Sequence, residues 1–276
     1  MSENSIRSLL RLDKSLIMGV VNITPDSFSD GGQFNDSSLA VEHALSLVEQ
    51  GADILDIGGE STRPGAEEVS VEQELKRVIP AIEALKAQTT VPISIDTYKP
   101  QVMRAAVEAG ASMINDVNGL RAPGAVEVAA AANMPICIMH MQGQPQTMQA
   151  RPKYESVVAQ VDAFFKQRIT TALDAGIKLD DIILDPGIGF GKTLKHNLEL
   201  LKSVPQLRVS TGCQMLLGVS RKSLIDKLLG RAVDQRLPAS LGLAVQSILN
   251  GAKIVRVHDV RETYDAIRVV EAVRNS

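Results

Sequence analysis

Eight short apolar runs recur along this 276-residue chain, and nearly every one stops at a polar residue that core packing does not need. The runs are Leu16–Val21, Ile54–Ile57, Ile93–Ile95, Ser112–Ile114, Ile136–Met139, Ile182–Leu184, Met215–Val219 and Ile254–Val257. They stop, in order, at Asn22, Gly58-Gly59-Glu60, Asp96, Asn115-Asp116, His140, Asp185, Ser220-Arg221-Lys222 and His258-Asp259. Helical stretches separate them. A strand buried on both faces reads as a continuous apolar run, and strands alternating with helices imply a parallel sheet. Eight such units predict an α/β fold, a (β/α)8 TIM barrel, which takes about 250 residues. In that fold the carboxyl ends of the strands share one face, so the polar terminators would meet there.

Composition agrees with one domain spanning residues 1–276, its core running from about 15 to 273. Hydrophobic residues make up 45%, net charge is −3 and the isoelectric point is about 5.9. No basic footprint for nucleic acid is present. No apolar run approaches the roughly 18 residues of a membrane span, and the start MSENSIRSLLRLDKS lacks a signal-peptide apolar core. The expectation is a cytoplasmic protein with no membrane or nucleic-acid partner. Cys137 and Cys213 fall in or beside core strands and are expected to be buried free thiols.

Two loops, Thr24–Ser38 and Glu60–Ser70, are longer than a strand-to-helix connection requires and are rich in Gly, Pro, Ser and Asp. They are predicted to be mobile and to hang over the mouth, carrying Phe28 and Arg63. Helix starts are predicted after Asp36-Ser37-Ser38, at the Ser70/Gln73 capping box before Val71–Ala87, and at Lys99-Pro100 before Val102–Glu108. The nearly uncharged stretch Arg236–Asn250 predicts a helix buried more than half round, against the barrel or a second subunit.

Asp96, Asn115 and Asp185 place two carboxylates and a carboxamide at the mouth. Such a set suits the edge of an amidine-like heterocycle, whose N–H and NH2 face carboxylates and whose ring carbonyl faces an amide N–H. Capping alone also accounts for a lone aspartate such as Asp96. The segment Asp185–Thr193 looks like a phosphate loop, but Pro186 stands where a P-loop needs its first glycine, and the spacing G-x-G-x-G is not that of a dinucleotide loop. It reads instead as a glycine loop that lets Phe190 approach a flat ligand. Ser220-Arg221-Lys222-Ser223 opens a helix and suits an anion. Arg256 and His258 alternate on one face of the eighth strand, where barrels frequently bind phosphate; both are expected as cations, with Arg63 as a third. Asn22 offers one amide oxygen to Mg2+, which keeps waters and leans on substrate phosphates.

Taken together, MGVVNITPDSFSDGG (18–32), DIGGESTRPGA (56–66), ISIDT (93–97), INDVNG (114–119), MHMQG (139–143), LDPGIGFGK (184–192), GVSRKS (218–223) and RVHDV (256–260) resemble the dihydropteroate synthases, folate-pathway enzymes targeted by sulfonamides. The resemblance covers the chain from about residue 18 to 260. It implies that 6-hydroxymethyl-7,8-dihydropterin pyrophosphate reacts with p-aminobenzoate, with Mg2+ assisting, to give dihydropteroate and pyrophosphate. It implies that Asp96, Asn115, Asp185 and Lys222 hold the pterin, with Met139 and Phe190 beside it. It implies that Asn22, Thr62, Arg63, Arg256 and His258 handle pyrophosphate and metal. Phe28, Thr62, Arg63, Pro64, Phe190, Lys222 and Ser223 match the aminobenzoate subsite, and Asp96, Arg63, Lys222, Arg256 and His258 the catalytic set. It also implies a homodimer. A pterin-dependent corrinoid methyltransferase or a non-catalytic pterin-binding paralogue would share the barrel and the pterin set.

Overall fold

A computed structural model describes residues 5–24, 33–61, 65–144 and 147–276, apart from the side chains of 33–36. Phe28, Thr62, Arg63 and Pro64 lie outside the described residues. Eight parallel strands close into one barrel in chain order. They are β1 (Leu16–Asn22), β2 (Ile54–Gly58), β3 (Ile93–Asp96), β4 (Met113–Asp116), β5 (Ile136–Met139), β6 (Ile182–Asp185), β7 (Gln214–Leu217) and β8 (Ile254–Val257). The seam closes through β8 on β1, with Leu16 opposite Ile254 and Met18 opposite Arg256. All eight apolar runs of the sequence are strands.

Helices α2 (Gln33–Glu49), α3 (Val71–Gln88), α4 (Pro100–Ala109), α5 (Ala125–Ala132) and α6 (Val157–Asp174) follow β1 to β5. The pair α7 (Leu194–Lys202) and α8 (Val204–Thr211) follows β6. The pair α9 (Ser223–Leu229) and α10 (Leu237–Leu249) follows β7, and α11 (Val260–Arg274) follows β8. The predicted capping box is formed, with Ser70 and Gln73 satisfying each other's backbone N–H, and Pro100 sits in the first turn of α4. The first helix differs from expectation. It starts at Gln33, so residues 33–38 belong to α2 rather than to the loop. Ser38 and Leu39 face solvent there, and short polar residues on an outer turn do not stop a helix that the buried Ala40, Val41 and Ala44 hold in place.

Period-two alternation explains why the strands read as unbroken apolar runs. Outward residues such as Ile17, Val21, Leu55, Ile57, Ile95, Ile114, Leu184 and Val255 pack beneath the helices in one large core. Inward residues near the amino ends of the strands (Leu16, Met18, Ile54, Met113, Cys137, Ile183, Leu216 and Ile254) form a second core inside the barrel. A short helix, α1 (Ile6–Arg11), inserts Ile6, Leu9 and Leu10 into that inner core and plugs the bottom. Arg7 fastens it, donating from Nε to Asp181 Oδ1 at 2.6 Å and from Nη2 to the Asn133 carbonyl at 2.7 Å. Cys137 and Cys213 are buried and free. Helix α10 buries Ser240, Ala244, Ser247 and Ile248 but leaves Leu249 51% exposed. Within one chain it is therefore covered on one face, less than its composition predicts.

Because the plug lies at the end of the barrel opposite the polar terminators, stability and ligand binding should separate there. Ile6→Ala removes a side chain only 1% exposed and should cost about 2–5 kcal/mol. A urea midpoint should fall accordingly, while ligand affinity at the mouth, measured under native conditions, stays unchanged.

Candidate active site

Above the inner apolar core the inward positions turn polar. Arg256, from the middle of β8, reaches across β1. Its Nε donates to Asp56 Oδ2 at 2.5 Å and its Nη2 to Asp96 Oδ2 at 2.7 Å. Asn115 donates from Nδ2 to the same Asp56 oxygen at 3.1 Å. Two carboxylates thus share one guanidinium, with Asp56 fully buried and Asp96 and Arg256 retaining 10% and 21% of their side-chain exposure. Burial pushes Asp96 up to about 7, against the pull of Arg256 and helped by the nearby Asp56 charge. The two carboxylates hold Arg256 above its already high value, against the burial that lowers it. Asp56 Oδ1 and Asp96 Oδ1 are buried without a hydrogen-bond partner among the described residues. An unpaired buried oxygen of this kind costs free energy until something donates to it.

Asp56 was not singled out in the sequence, because it lies inside an apolar run rather than at its end. The signal was available: Asp56 is in phase with Ile54 and Gly58 on the inward face, and a charge inside a doubly buried strand needs a partner.

Asp185 ends β6 on the opposite side of the mouth and is 7% exposed. Burial raises its pKa, opposed by the Gly187 N–H, which donates to Oδ1 at 2.7 Å, and by the charges of Lys222, Lys192 and Arg256. The chain leaves β7 at Gly218, where an added Cβ would stand 4.0 Å from both Asp185 Oδ2 and the Arg256 Cβ. This close approach brings β6 and β8 side chains to one floor. Beyond Asp185 the loop takes left-handed turns at Gly187, Gly189 and Gly191, and a Cβ at Gly187 would collide with the His140 carbonyl. The path is therefore open only to glycine. It presents Phe190, which packs with Tyr98 against Val117, Met139, Met141 and Met148. The Lys222 Nζ stands 4.2 Å from the centre of the Phe190 ring.

Lys222 caps α9, with Ser223 as the first helical residue. The preceding Arg221 is held at φ +57° and pairs outward with Asp259, Nη2 to Oδ1 at 2.5 Å. That turn separates the two cations, directing Arg221 to the rim and Lys222 to Phe190. His258 Nδ1 lies 3.1 Å from Ser220 Oγ. His258, expected as a cation beside Arg256, is not one in the ligand-free protein. Burial, reinforced by Arg256, Arg221 and Lys222, pushes His258 down to about 3, so its imidazole is neutral at physiological pH. Asn22 ends β1. A Cβ at Gly58 would lie 3.7 Å from both Asn22 Oδ1 and Asp96 Oδ2, so the amide oxygen and the carboxylate face one small gap.

That gap suits a hard cation held through few protein oxygens. Among the described residues no group of three or more His, Cys, Asp or Glu could hold a metal, which does not match a closed all-protein site. One amide oxygen beside a carboxylate fits Mg2+ that keeps its waters and is completed by a ligand's phosphates.

The rim between β2 and β3 is braced by a cluster the sequence did not reveal. Buried Lys99 bridges Glu60 and Glu74, donating to Glu74 Oε2 at 2.5 Å, and Tyr98 donates its hydroxyl to Glu60 Oε1 at 3.2 Å. Together the mouth offers orphaned acceptors on one side, an aromatic and thioether wall on the other, and cations from β7 and β8. This is the lining for a flat heterocycle with a polar edge, bearing an anionic tail.

The family model of the pterin-binding enzymes matches residues 18–258. The dihydropteroate synthase of Escherichia coli K12 is 50% identical over 263 residues, covering 95% of this chain and 93% of that protein. A Xanthomonas albilineans dihydropteroate synthase with 4-aminobenzoic acid superposes with a TM-score of 0.91 at 50% identity, covering 96% of this chain and 94% of the other. The enzyme from that organism in complex with 7,8-dihydropteroate gives 0.87 at 47% identity, covering 96% and 95%. With its motifs in one order, its closed barrel and its polar mouth, the chain belongs to the pterin-binding enzyme family.

Proposed function

We propose that this protein is a dihydropteroate synthase, joining 6-hydroxymethyl-7,8-dihydropterin pyrophosphate to p-aminobenzoate with release of pyrophosphate. The observation that carries this reading is the buried tier in which Asp96, Asn115 and Asp185 confront the Phe190–Met139 wall, with the Asp96 Oδ1 acceptor unused. Asp96 and Asp185 accept from the pterin N–H groups, and the Asn115 amide meets the ring edge. The synthases named above, one with 4-aminobenzoic acid and one with 7,8-dihydropteroate, support the choice of substrates.

In this reading the C–O bond to pyrophosphate breaks first, and its electron pair leaves with the pyrophosphate. Positive charge spreads from the methylene into the pterin ring, where ionised Asp96 stabilises it. Arg63, Thr62, Arg256 and His258 hold the leaving group. A Mg2+ held through Asn22 would supply further neutralisation of the pyrophosphate charge. The aminobenzoate amine then attacks the methylene carbon and loses a proton to solvent. The aminobenzoate sits near Phe28, Thr62, Arg63, Pro64 and Phe190, its carboxylate at the Lys222–Ser223 helix start. We also infer a homodimer. Supporting it, Val269 and Val273 of α11 are 64% and 71% exposed and Leu249 of α10 is 51% exposed, an apolar set that a second copy would cover. A cytoplasmic location is inferred from the two unpaired thiols, which suit a reducing compartment.

The test is pyrophosphate release from the dihydropterin pyrophosphate with Mg2+, with and without p-aminobenzoate. Release that requires the aminobenzoate, with dihydropteroate as product, is expected. Pterin binding without product would turn the reading towards a corrinoid methyltransferase or a silent paralogue.

The position of Asp96 also fixes a pH dependence. The reaction needs its carboxylate, and its pKa in the free protein is raised to about 7. Protonation below that value removes the stabilising charge, so kcat/KM for the pterin substrate should fall as pH drops through about 7, by roughly tenfold per unit well below it. Asp96→Asn should lower kcat/KM roughly a hundredfold at neutral pH and flatten this limb; a limb that survives in the variant would assign it to another group. Arg63→Ala should raise the KM for p-aminobenzoate and slow turnover while leaving the affinity for a pterin without pyrophosphate, measured by calorimetry, in place.

A further inference from the structure

We propose that Lys192 is a positioning residue for pterin binding, its buried ammonium tying the exit of β5 to the glycine loop after β6 and so setting Asp185 and Phe190. The proposal rests on the assignment of those two residues to the pterin subsite. Lys192 is 1% exposed, one of the most deeply buried large side chains of the chain. Its Nζ meets three acceptors, the Phe190 carbonyl at 2.9 Å and the His140 carbonyl and Nδ1 each at 3.1 Å. An ammonium has three hydrogens to donate, and three acceptors converge on it.

The His140 partner is suited to that role. Burial and the charges of Lys192 and Arg121 push its pKa down to about 3, so the ring is neutral. Because an ammonium can only donate, the neutral ring that faces one accepts at Nδ1 and carries its hydrogen on Nε2. The ring is packed edge-on to Phe164, centroids 4.9 Å apart. The other end of the tie is Phe190 itself. Gly187 is also wedged against the His140 carbonyl, too close to admit a Cβ, so one carbonyl at the exit of β5 contacts both the loop's backbone and its lysine. The rest of the loop is held by neutral groups. Asn197 Oδ1 accepts from the Gly189 N–H at 2.8 Å, Gln149 donates to the Gly189 carbonyl, and Tyr154 donates to the Gly191 carbonyl at 2.9 Å. Among the described residues Lys192 is the cation that hydrogen-bonds to this loop's backbone, while Lys222 approaches it over the Phe190 ring.

That charge reaches further than the hydrogen bonds. No carboxylate is in ion-pair contact with Lys192 among the described residues, but its charge favours ionised Asp185, along with Lys222 and Arg256. Asp185 in return favours the ammonium, against burial and Lys222, which together push Lys192 down to about 7. Lys192 therefore both places the Asp185 loop and helps keep Asp185 an acceptor.

Lys192→Met keeps the unbranched side chain to within one heavy atom and removes its donors and charge. The dissociation constant for the dihydropterin should rise roughly tenfold or more, while the KM for p-aminobenzoate at saturating pterin, whose subsite shares Phe190 but not Asp185, rises by less. Read in an Asp96→Asn background, where the Asp96 limb is absent, the acid limb of pterin binding that Asp185 sets should move to higher pH, because Asp185 loses a cation that holds it ionised. Lys192→Arg, which keeps the charge, should return the limb towards its wild-type position. A filler role alone would lower the melting temperature without separating the two substrates or moving the limb. Pterin affinity within about twofold of wild type, with the limb in place, would overturn the proposal. Should neither variant fold, the coupling can be read on Lys192 itself by 15N spectroscopy of the buried lysine Nζ. In Asp185→Asn it should titrate at lower pH than in wild type, and an unchanged titration overturns the proposal. Wild-type protein that binds no dihydropterin would instead sink the functional reading, and loss of binding in Asp185→Asn confirms that the assay reports this subsite.

Discussion

The mouth of this barrel depends on one guanidinium shared by two carboxylates. Arg256 leaves β8, passes over β1 and meets Asp56 of β2 and Asp96 of β3, so it fastens the seam where the barrel closes to the strands beyond it. Each of these charges is expensive to bury alone. With two negative charges and one positive, the set is one cation short, and desolvation settles the imbalance on Asp96. Asp56 is the better satisfied carboxylate, since its Oδ2 accepts from both Arg256 and Asn115. Each carboxylate keeps its Oδ1 without a partner among the described residues, but Asp96 is the one partly exposed at the mouth, while Asp56 lies fully buried beneath it.

This division recurs along the barrel axis. The lower inner layer is apolar and sealed by α1, and the upper layer is polar and carries the strand terminators, as expected where barrel stability and chemistry sit at opposite ends. The rims are held by buried cations whose partners lie on neighbouring elements. Lys99 joins the exits of β2 and β3 to α3 through Glu60 and Glu74, and Lys192 joins the exits of β5 and β6. Neither cation is free to swing towards a ligand. Both fix the roots of segments that reach the mouth, so that these segments stand on a rigid floor.

The architecture was legible because each strand is buried on both faces and therefore apolar throughout, while the terminators Asn22, Asp96, Asn115 and Asp185 broke the pattern where packing ended. The same logic concealed Asp56 and the use made of Arg256. A polar residue within a run can be balanced only by a partner far away in sequence, here 200 residues distant, and no local pattern announces that pairing. The start of α2 was misread because Asp36-Ser37-Ser38 has the composition of a cap, whereas the buried face of the helix decides its extent. Lys192 looked like the end of a phosphate loop, but folding turns it inward to the carbonyls of its own barrel. The ionisation of His258 was hidden for a related reason. Its charge is set by Arg256, Arg221, Lys222 and burial, and only the folded chain brings these together.

The neutral His258 bears on how such a mouth could favour a transition state over a ground state. Three neighbouring cations and burial make a fourth charge unfavourable in the free protein, so the imidazole holds a capacity for protonation that is not yet used. In the proposed reaction, negative charge grows on the departing pyrophosphate as the C–O bond lengthens. That charge would oppose the repulsion from Arg256, Arg221 and Lys222 and raise the imidazole pKa in step with bond breaking. Binding that strengthens with developing charge accelerates reaction, whereas equal attraction to substrate and transition state would not. Asp96 is the counterpart on the pterin side, a carboxylate raised by desolvation whose ionised form gains most as positive charge appears in the ring. Acid and base are thus displaced in opposite directions by the same low-dielectric tier, and separation of charge along the breaking bond brings both back towards their ionised forms.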